Sequence, residues 1–498
     1  MNHYMGVDVG TSGCKAVVFD TAGKQVAVAY REYDLHCPHP GWAELDSDEV
    51  MRKCFDVIGE AARQVPSGTV RGLGVSAQGE AFTPLDAQGK SLGPAPVSSD
   101  ARAATYVVEW TKQFGLDNLY QITGHTAHTM FSLFKLLWMR DHQPEVWKRA
   151  ARFLCFEDLL HARLGIDPAI GWPLAARMML FDVRKHQWHD DLMNAAGLKR
   201  GQLARPLESG SVAGKVPANM ARELGLADNA VVVTAGHDQP CSALGAGAVE
   251  PGVAVYATGT VECITPAFKE PRFTDVLKAN NLCTYHHCAP GRYATVAFSL
   301  TGGNILKWFR DQFGAAEVAE QQRTGTNAYE LLLREAGGEP SDLLVLPYFT
   351  PTGTPYFDPH ATGAILGLRL TTTRGQVIRA LLEGVAFEMR LNLDLLAQSG
   401  LPITQLRAIG GGAKSATWNQ LNADVLGVPL AVSEVTEAGA RGAAMLACAA
   451  DTGEPVVQLA SRWTKISGEV RPRKAQTERY TERFATYKKL YPTLRGLR

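Results

Sequence analysis

The sequence predicts an α/β fold made of two related halves. Three observations carry that expectation: short apolar strands joined by glycine turns at the start of the chain, an amphipathic helix followed by another strand, and the return of the opening pattern roughly 250 residues later. The first strand is Tyr4-Met5-Gly6-Val7-Asp8-Val9, broken by Gly10-Thr11-Ser12-Gly13. Residues 14–20 read as a second strand, and the turn Thr21-Ala22-Gly23-Lys24 leads into a third at 25–29, an antiparallel meander. Asp46 is expected to cap a helix, with Glu49 three residues on and apolar positions at Val50, Phe55, Val57 and Ile58. A strand over 70–76 restores the alternation. Residues 252–262 again read strand, Gly/Thr turn, strand, which puts the junction near 246–252 and the domains at 1–248 and 249–498. No Pro/Ser-rich linker separates the halves, so they are expected to be tightly coupled.

Composition narrows the function classes. The chain has 498 residues, 46% hydrophobic and 20% charged, which excludes wholesale disorder. Fifty basic residues balance 50 acidic ones, so no net field recruits nucleic acid or anionic lipid. No apolar run reaches the ~18 residues of a membrane span, and the first residues lack a basic and apolar export signal. Nine cysteines at irregular spacing do not form a disulfide framework, which points to a reducing cytoplasm.

Four segments carry chemistry. Around Gly10-Thr11-Ser12-Gly13 the glycines let the backbone N–H groups curl into a nest for phosphate oxygens, and Thr11 and Ser12 add hydroxyls. Asp8, at the strand end, suits a hydrated magnesium ion. Lys15 does not have P-loop spacing, and a plain hairpin turn is the alternative. Thr258-Gly259-Thr260 offers the same donors in the second half, and one such hairpin per half fits a nucleotide held between domains.

Asp238 follows the apolar strand 230–233 and precedes a helix, where a carboxylate can accept the proton of a hydroxyl attacking a phosphoryl group. A helix N-cap is the alternative use, and His237 is the rival base. Gly410-Gly411-Gly412 turns a strand at 405–409 into a helix starting near Ser415 and permits a ligand such as adenosine to approach the backbone. Asn419 and Asn422, one helical turn apart, read as ligands or as exposed polar residues.

These residues, with two further stretches, resemble the FGGY carbohydrate kinases of the actin-like ATPase superfamily. The segment 130–142, MFSLFKLLWMRDH, is similar to the first family signature, including Lys135 and Trp138. The second is matched by Gly363-Ala364-Ile365-Leu366-Gly367-Leu368 with Gln376-Val377 and Ala380-Leu381-Leu382-Glu383, and the resemblance runs from residue 4 to about 450. It implies two actin-like (ribonuclease H-like) ATPase domains closing over ATP, Mg2+ and a sugar in an interdomain catalytic cleft. By that resemblance Asp238 is the catalytic base and Asp8 the magnesium-side carboxylate. Thr11, Ser12 and Gly13 form the first phosphate loop, Thr258, Gly259 and Thr260 the second, and Gly410, Gly411 and Gly412 the adenosine loop. Lys135 and Trp138, three residues apart on one helical face, are expected to be structural.

The substrate region departs from known patterns. Ala77-Gln78-Gly79-Glu80-Ala81-Phe82 has neither the Gln-Met-His of xylulokinases nor the Arg-Glu of glycerol kinases, although Gln78 and Glu80 can each bond a sugar hydroxyl. Asp100-Ala101-Arg102 keeps an Asp-x-Arg element, with Ser98 where an aromatic is common. Gly41-Trp42-Ala43-Glu44 resembles the Gly-Trp-x-Glu element whose Trp helps shape the sugar site. Trp42, Gln78, Glu80, Asp100 and Asp238 are therefore the expected acceptor contacts. The expected acceptor is a ketopentose, D-xylulose being the nearest comparison, with erythritol, ribitol, L-ribulose and glycerol types as alternatives. A homodimer is expected, with neither nucleic acid nor membrane as partner.

Two further signals are read plainly. Cys283, His286, His287 and Cys288 lie on an extended stretch whose alternate side chains face opposite ways, which argues against a zinc site. The last 28 residues hold nine Lys/Arg and two Asp/Glu, but Tyr480, Phe484 and Tyr487 recur at helical spacing, so a packed terminal helix is expected there. A non-catalytic ATP-binding sugar sensor and a chaperone-type ATPase are the rivals. The first lacks an appended effector domain, and the second lacks chain for a peptide-binding module.

Overall fold

The computed structural model describes residues 2–434 and 437–497. The opening meander forms as expected: His3–Val9 pairs antiparallel with Gly13–Asp20, which pairs with Gln25–Glu32. Val70–Ala77 lies parallel beside the first strand, Val231–His237 parallel beside that, and Val212–Lys215 at the edge. The second half repeats the order. Val253–Thr258 pairs antiparallel with Glu262–Phe268 and parallel with Gln405–Ile409, which pairs in parallel with Leu430–Ser433. Hairpin plus two parallel strands thus occurs twice. The central strands are apolar almost throughout because helices cover both faces of the sheet.

Asp46 caps the helix Ser47–Ala62 by accepting the Asp48 and Glu49 N–H groups, while the Glu49 side chain pairs with Lys53 at 2.6 Å. The helix Ala438–Thr452 belongs to the second half by sequence yet packs on the first sheet and against the helix Asp238–Gly245. Contact there is backbone to backbone. A Cβ on Gly6 would stand 1.7 Å from the Ala440 carbonyl oxygen, so only glycine allows the approach. The two helices join the sheets and leave a cleft beside the strand ends.

The terminal helix Lys474–Leu494 buries Tyr480, Phe484 and Tyr487, the expected apolar stripe, and Tyr491 beyond it. Among the described residues no helix is long and apolar enough to cross a membrane.

Candidate active site

The cleft between the sheets measures about 260 Å³ and is lined in part by Asp8, Gln239, Gly259, Thr260, Gly410 and Glu437. It brings together the end of the first strand, the tip of the second hairpin and the glycine run, three segments some hundreds of residues apart in the chain.

Asp8 accepts the Ser76 hydroxyl at 2.7 Å. Burial pushes its carboxyl up to about 6; the Ser76 bond opposes this, the negative charges of Asp238 and Glu437 add to it, and Lys15 lowers it. Lys15 is itself paired with Glu437 at 2.5 Å. The cleft is therefore short of positive charge and rich in carboxylate oxygen. Such a donor set fits Mg2+, which takes one or two carboxylates and completes its shell with water and phosphate. Among the described residues no three His, Cys, Asp or Glu side chains form a cage by themselves.

The first hairpin tip is braced internally. The Gly10 N–H donates to the Gly13 carbonyl at 3.0 Å. The Thr11 hydroxyl donates to Gln78 Oε1 at 3.0 Å, and Gln78 Nε2 donates to the Gly10 carbonyl at 3.0 Å. The amide of Gln78, an expected sugar contact, thus braces this hairpin tip through both bonds. Ser12 stays exposed at the tip, and Gly13 passes so close to Arg31 that a Cβ would lie 2.6 Å from its carbonyl oxygen.

The second hairpin and the glycine run interlock. The Thr258 hydroxyl, an expected phosphate contact, is buried and donates to the Ile409 carbonyl at 3.2 Å. Gly259 and Thr260 remain on the cleft wall. Gly412 would bring a Cβ within 2.8 Å of Thr258 Oγ1, whereas Gly411 faces open space. Asn419 and Asn422 are buried rather than exposed, and Asn419 donates to the Ala413 carbonyl at 2.7 Å, tying the helix Ala416–Leu426 to the glycine run.

Asp238 is the first residue of its helix, and the N-cap position belongs to His237, with no side-chain cap bond. The N-cap use of Asp238 is thereby set aside. Its side chain is 31% exposed and lies 3.0 Å from His237 Nε2. On the other side of the ring, His237 Nδ1 lies 2.9 Å from the Tyr285 hydroxyl. His237 is thus buried between Asp238 and Tyr285.

On the acceptor side, Glu80 is buried with φ +68° and forms an ion pair with Arg177, whose Nε donates at 2.5 Å. Arg177 also lies over the Phe131 ring at 4.8 Å and within 5.9 Å of the Tyr285 ring. A hydroxyl reaching Glu80 meets this pair and not a lone carboxylate. Sequence reasoning missed Arg177 and Tyr285; the available signal was one arginine inside the apolar run Leu174–Leu180 around the helix Trp172–Arg177.

Asp100, an expected acceptor contact, is engaged by the protein. It is fully buried, accepting the Ala43 N–H at 2.7 Å and the Arg102 guanidinium at 2.7 and 2.8 Å. Arg102 in turn covers one face of Trp42 at 3.7 Å and pairs with Glu44 at 2.7 Å, while Trp138 meets Trp42 edge-on at 5.0 Å. Asp100 thus anchors the wall that holds Trp42. Lys135 is buried and donates to the Val97 carbonyl at 2.8 Å, and burial pushes its ammonium down to about 8. Lys135 and Trp138 are structural, as expected.

A twofold-repeated α/β fold with two hairpins and an acid-rich cleft defines an interdomain phosphotransferase. Residues 3–245 match the N-terminal domain, and residues 254–450 the C-terminal domain, of the FGGY family of carbohydrate kinases; the chain belongs to that family. It is 27% identical to a xylulose kinase of Bacillus subtilis over 100% of this chain and 98% of the relative. It is 30% identical to a glycerol kinase of Methylibium petroleiphilum, covering 93% and 94%. The crystal structure of a xyloylose kinase from Brucella ovis superposes with a TM-score of 0.89 at 28% identity, covering both chains completely.

Proposed function

We propose that this carbohydrate kinase transfers the γ-phosphoryl group of ATP to a hydroxyl of a ketopentose such as D-xylulose, with Mg2+. The observation that carries this reading is the convergence of Asp8, Gly259, Thr260 and Gly410 on one cleft, with the Asp238 charge acting on Asp8. The acceptor oxygen attacks the γ-phosphorus as Asp238 takes its proton; the bond to the β,γ-bridging oxygen breaks and ADP leaves. His237 holds Asp238 in place, and the two hairpin tips hold the phosphates. Magnesium held by Asp8 supplies neutralisation of phosphate charge. Closure of the 1–248 half on the 249–498 half excludes water, which otherwise competes as acceptor.

The xylulose kinases at 27% and 28% identity along the whole chain support a ketopentose. A glycerol-type polyol is the second reading, supported by the glycerol kinase relative. A cytoplasmic homodimer fits the same reading, and all nine cysteines are free. ADP release with Mg-ATP across ketopentoses, pentitols, tetritols and glycerol tests it, with Asp238→Asn as control. One sugar that raises ADP release, lost in the control, is the expected result; intact nucleotide binding with no responsive acceptor points to a sensor.

A further inference from the structure

We propose that Glu157 is a positioning residue for Asp238, holding open the backbone bulge that aims the base into the cleft. The inference rests on the reading of Asp238 as base. Glu157 sits in the helix Phe156–Arg163 and is fully buried. Its Oε1 accepts the Ala235 N–H at 2.7 Å and its Oε2 the Gly171 N–H at 2.8 Å.

Ala235 is the bulged residue. Along the pairing of Val231–His237 with Val70–Ala77, Thr234 faces Val75 and Gly236 faces Ser76, so Ala235 has no partner opposite. Side chains complete it instead: Glu157 takes its N–H, and the Ser209 hydroxyl and Cys288 thiol donate to its carbonyl at 2.7 and 3.0 Å. Because strand side chains alternate, one extra residue decides which face every later residue meets. Asp238 comes three residues after the bulge. Gly236, at φ +107°, completes the turn, and a Cβ on Gly171 would lie 3.0 Å from its Cα. Glu157 therefore clamps the two backbone segments that touch at this turn.

The clamp calls for two acceptor oxygens, which a carboxyl group offers and an amide does not. Two N–H donors arrive at two oxygens, and a glutamine has one acceptor and one donor to offer. Burial pushes the Glu157 carboxyl up to about 8, with the Gly171, Ala235 and Gly236 amides opposing the shift.

The test is Glu157→Gln in the full chain, alone and with Asp238→Asn. The single variant is expected to lose about tenfold or more in kcat, with KM for nucleotide and sugar, and directly measured nucleotide binding, close to the parent. In the Asp238→Asn background it should cause no further loss, the coupling expected of groups acting through one another. A kcat within about twofold of the parent, or an equal loss in both backgrounds, overturns the proposal. Should Glu157→Gln fail to fold, Ser209→Ala loosens the same bulge from its carbonyl side and is expected to lower kcat in the same direction; parental kcat there overturns the proposal. Asp238→Asn alone reports separately on the base, since full turnover in it removes Asp238 whatever Glu157 does.

Discussion

The Thr258 carbonyl oxygen stands 2.6 Å from the point where a Cβ on Gly410 would sit. The second hairpin and the glycine run are therefore one unit, packed backbone to backbone, with the Thr258 hydroxyl holding the Ile409 carbonyl. Gly410 and Gly412 are glycines because of Thr258; only Gly411 opens toward empty space.

Gly410→Ala places a Cβ against that carbonyl at φ +88°. Strain of this kind costs roughly 1–3 kcal/mol, so nucleotide affinity is expected to fall by about one order of magnitude while sugar affinity holds. Gly411→Ala should keep the parental Tm and raise KM for ATP. Separate titrations of nucleotide and sugar check both, and parental nucleotide binding in Gly410→Ala refutes the coupling.

Gln78→Ala removes both bonds that brace the first hairpin tip. KM for ATP should rise several-fold, on the scale of about 1 kcal/mol per lost hydrogen bond, with little change for the sugar. A rise confined to the sugar KM would return Gln78 to the acceptor site.

Arg177→Ala leaves the Glu80 carboxylate buried without its partner. Breaking such a pair costs about 3–5 kcal/mol, so a clear drop in denaturant midpoint is expected, together with a weaker sugar KM. An unchanged midpoint would mean that water or another cation replaces the guanidinium.

Glu388 gives a pH-dependent stability. Burial pushes its carboxyl from 4.5 up to about 7, opposed by bonds from the Tyr487 and Tyr348 hydroxyls. The folded state thus holds this proton more tightly than the unfolded chain. Its contribution is fully present below pH 4.5 and is lost as pH rises through about 7. Thermal melts at pH 5 and pH 8 should show a smaller fall in Glu388→Gln than in the parent; equal falls would exclude Glu388 as the source.

Strand periodicity and glycine turns made the two meanders legible, and the positions of Asp8, Asp238 and the hairpin tips followed from where strands end. What escaped was the use of each polar side chain. Gln78, Asp100 and Thr258 carry the right chemistry for ligands, but the fold supplies each with protein partners first, and those partners lie 57 to 151 residues away. Arg177 and Glu157 escaped for the same reason, since a buried charge in an apolar run reveals itself only through the group it meets.

The sequence by itself determined the class, the repeated topology and the family, because periodicity, turn residues and signature stretches are local. Only the tertiary structure decided that the helix Ala438–Thr452 packs on the opposite half, that Asp100 supports Trp42 through Arg102, and that the buried Glu157 carboxyl takes the N–H of the bulge before Asp238. These are long-range pairings. Whether a donor is left for a ligand depends on which acceptors the folded chain brings within about 3 Å of it.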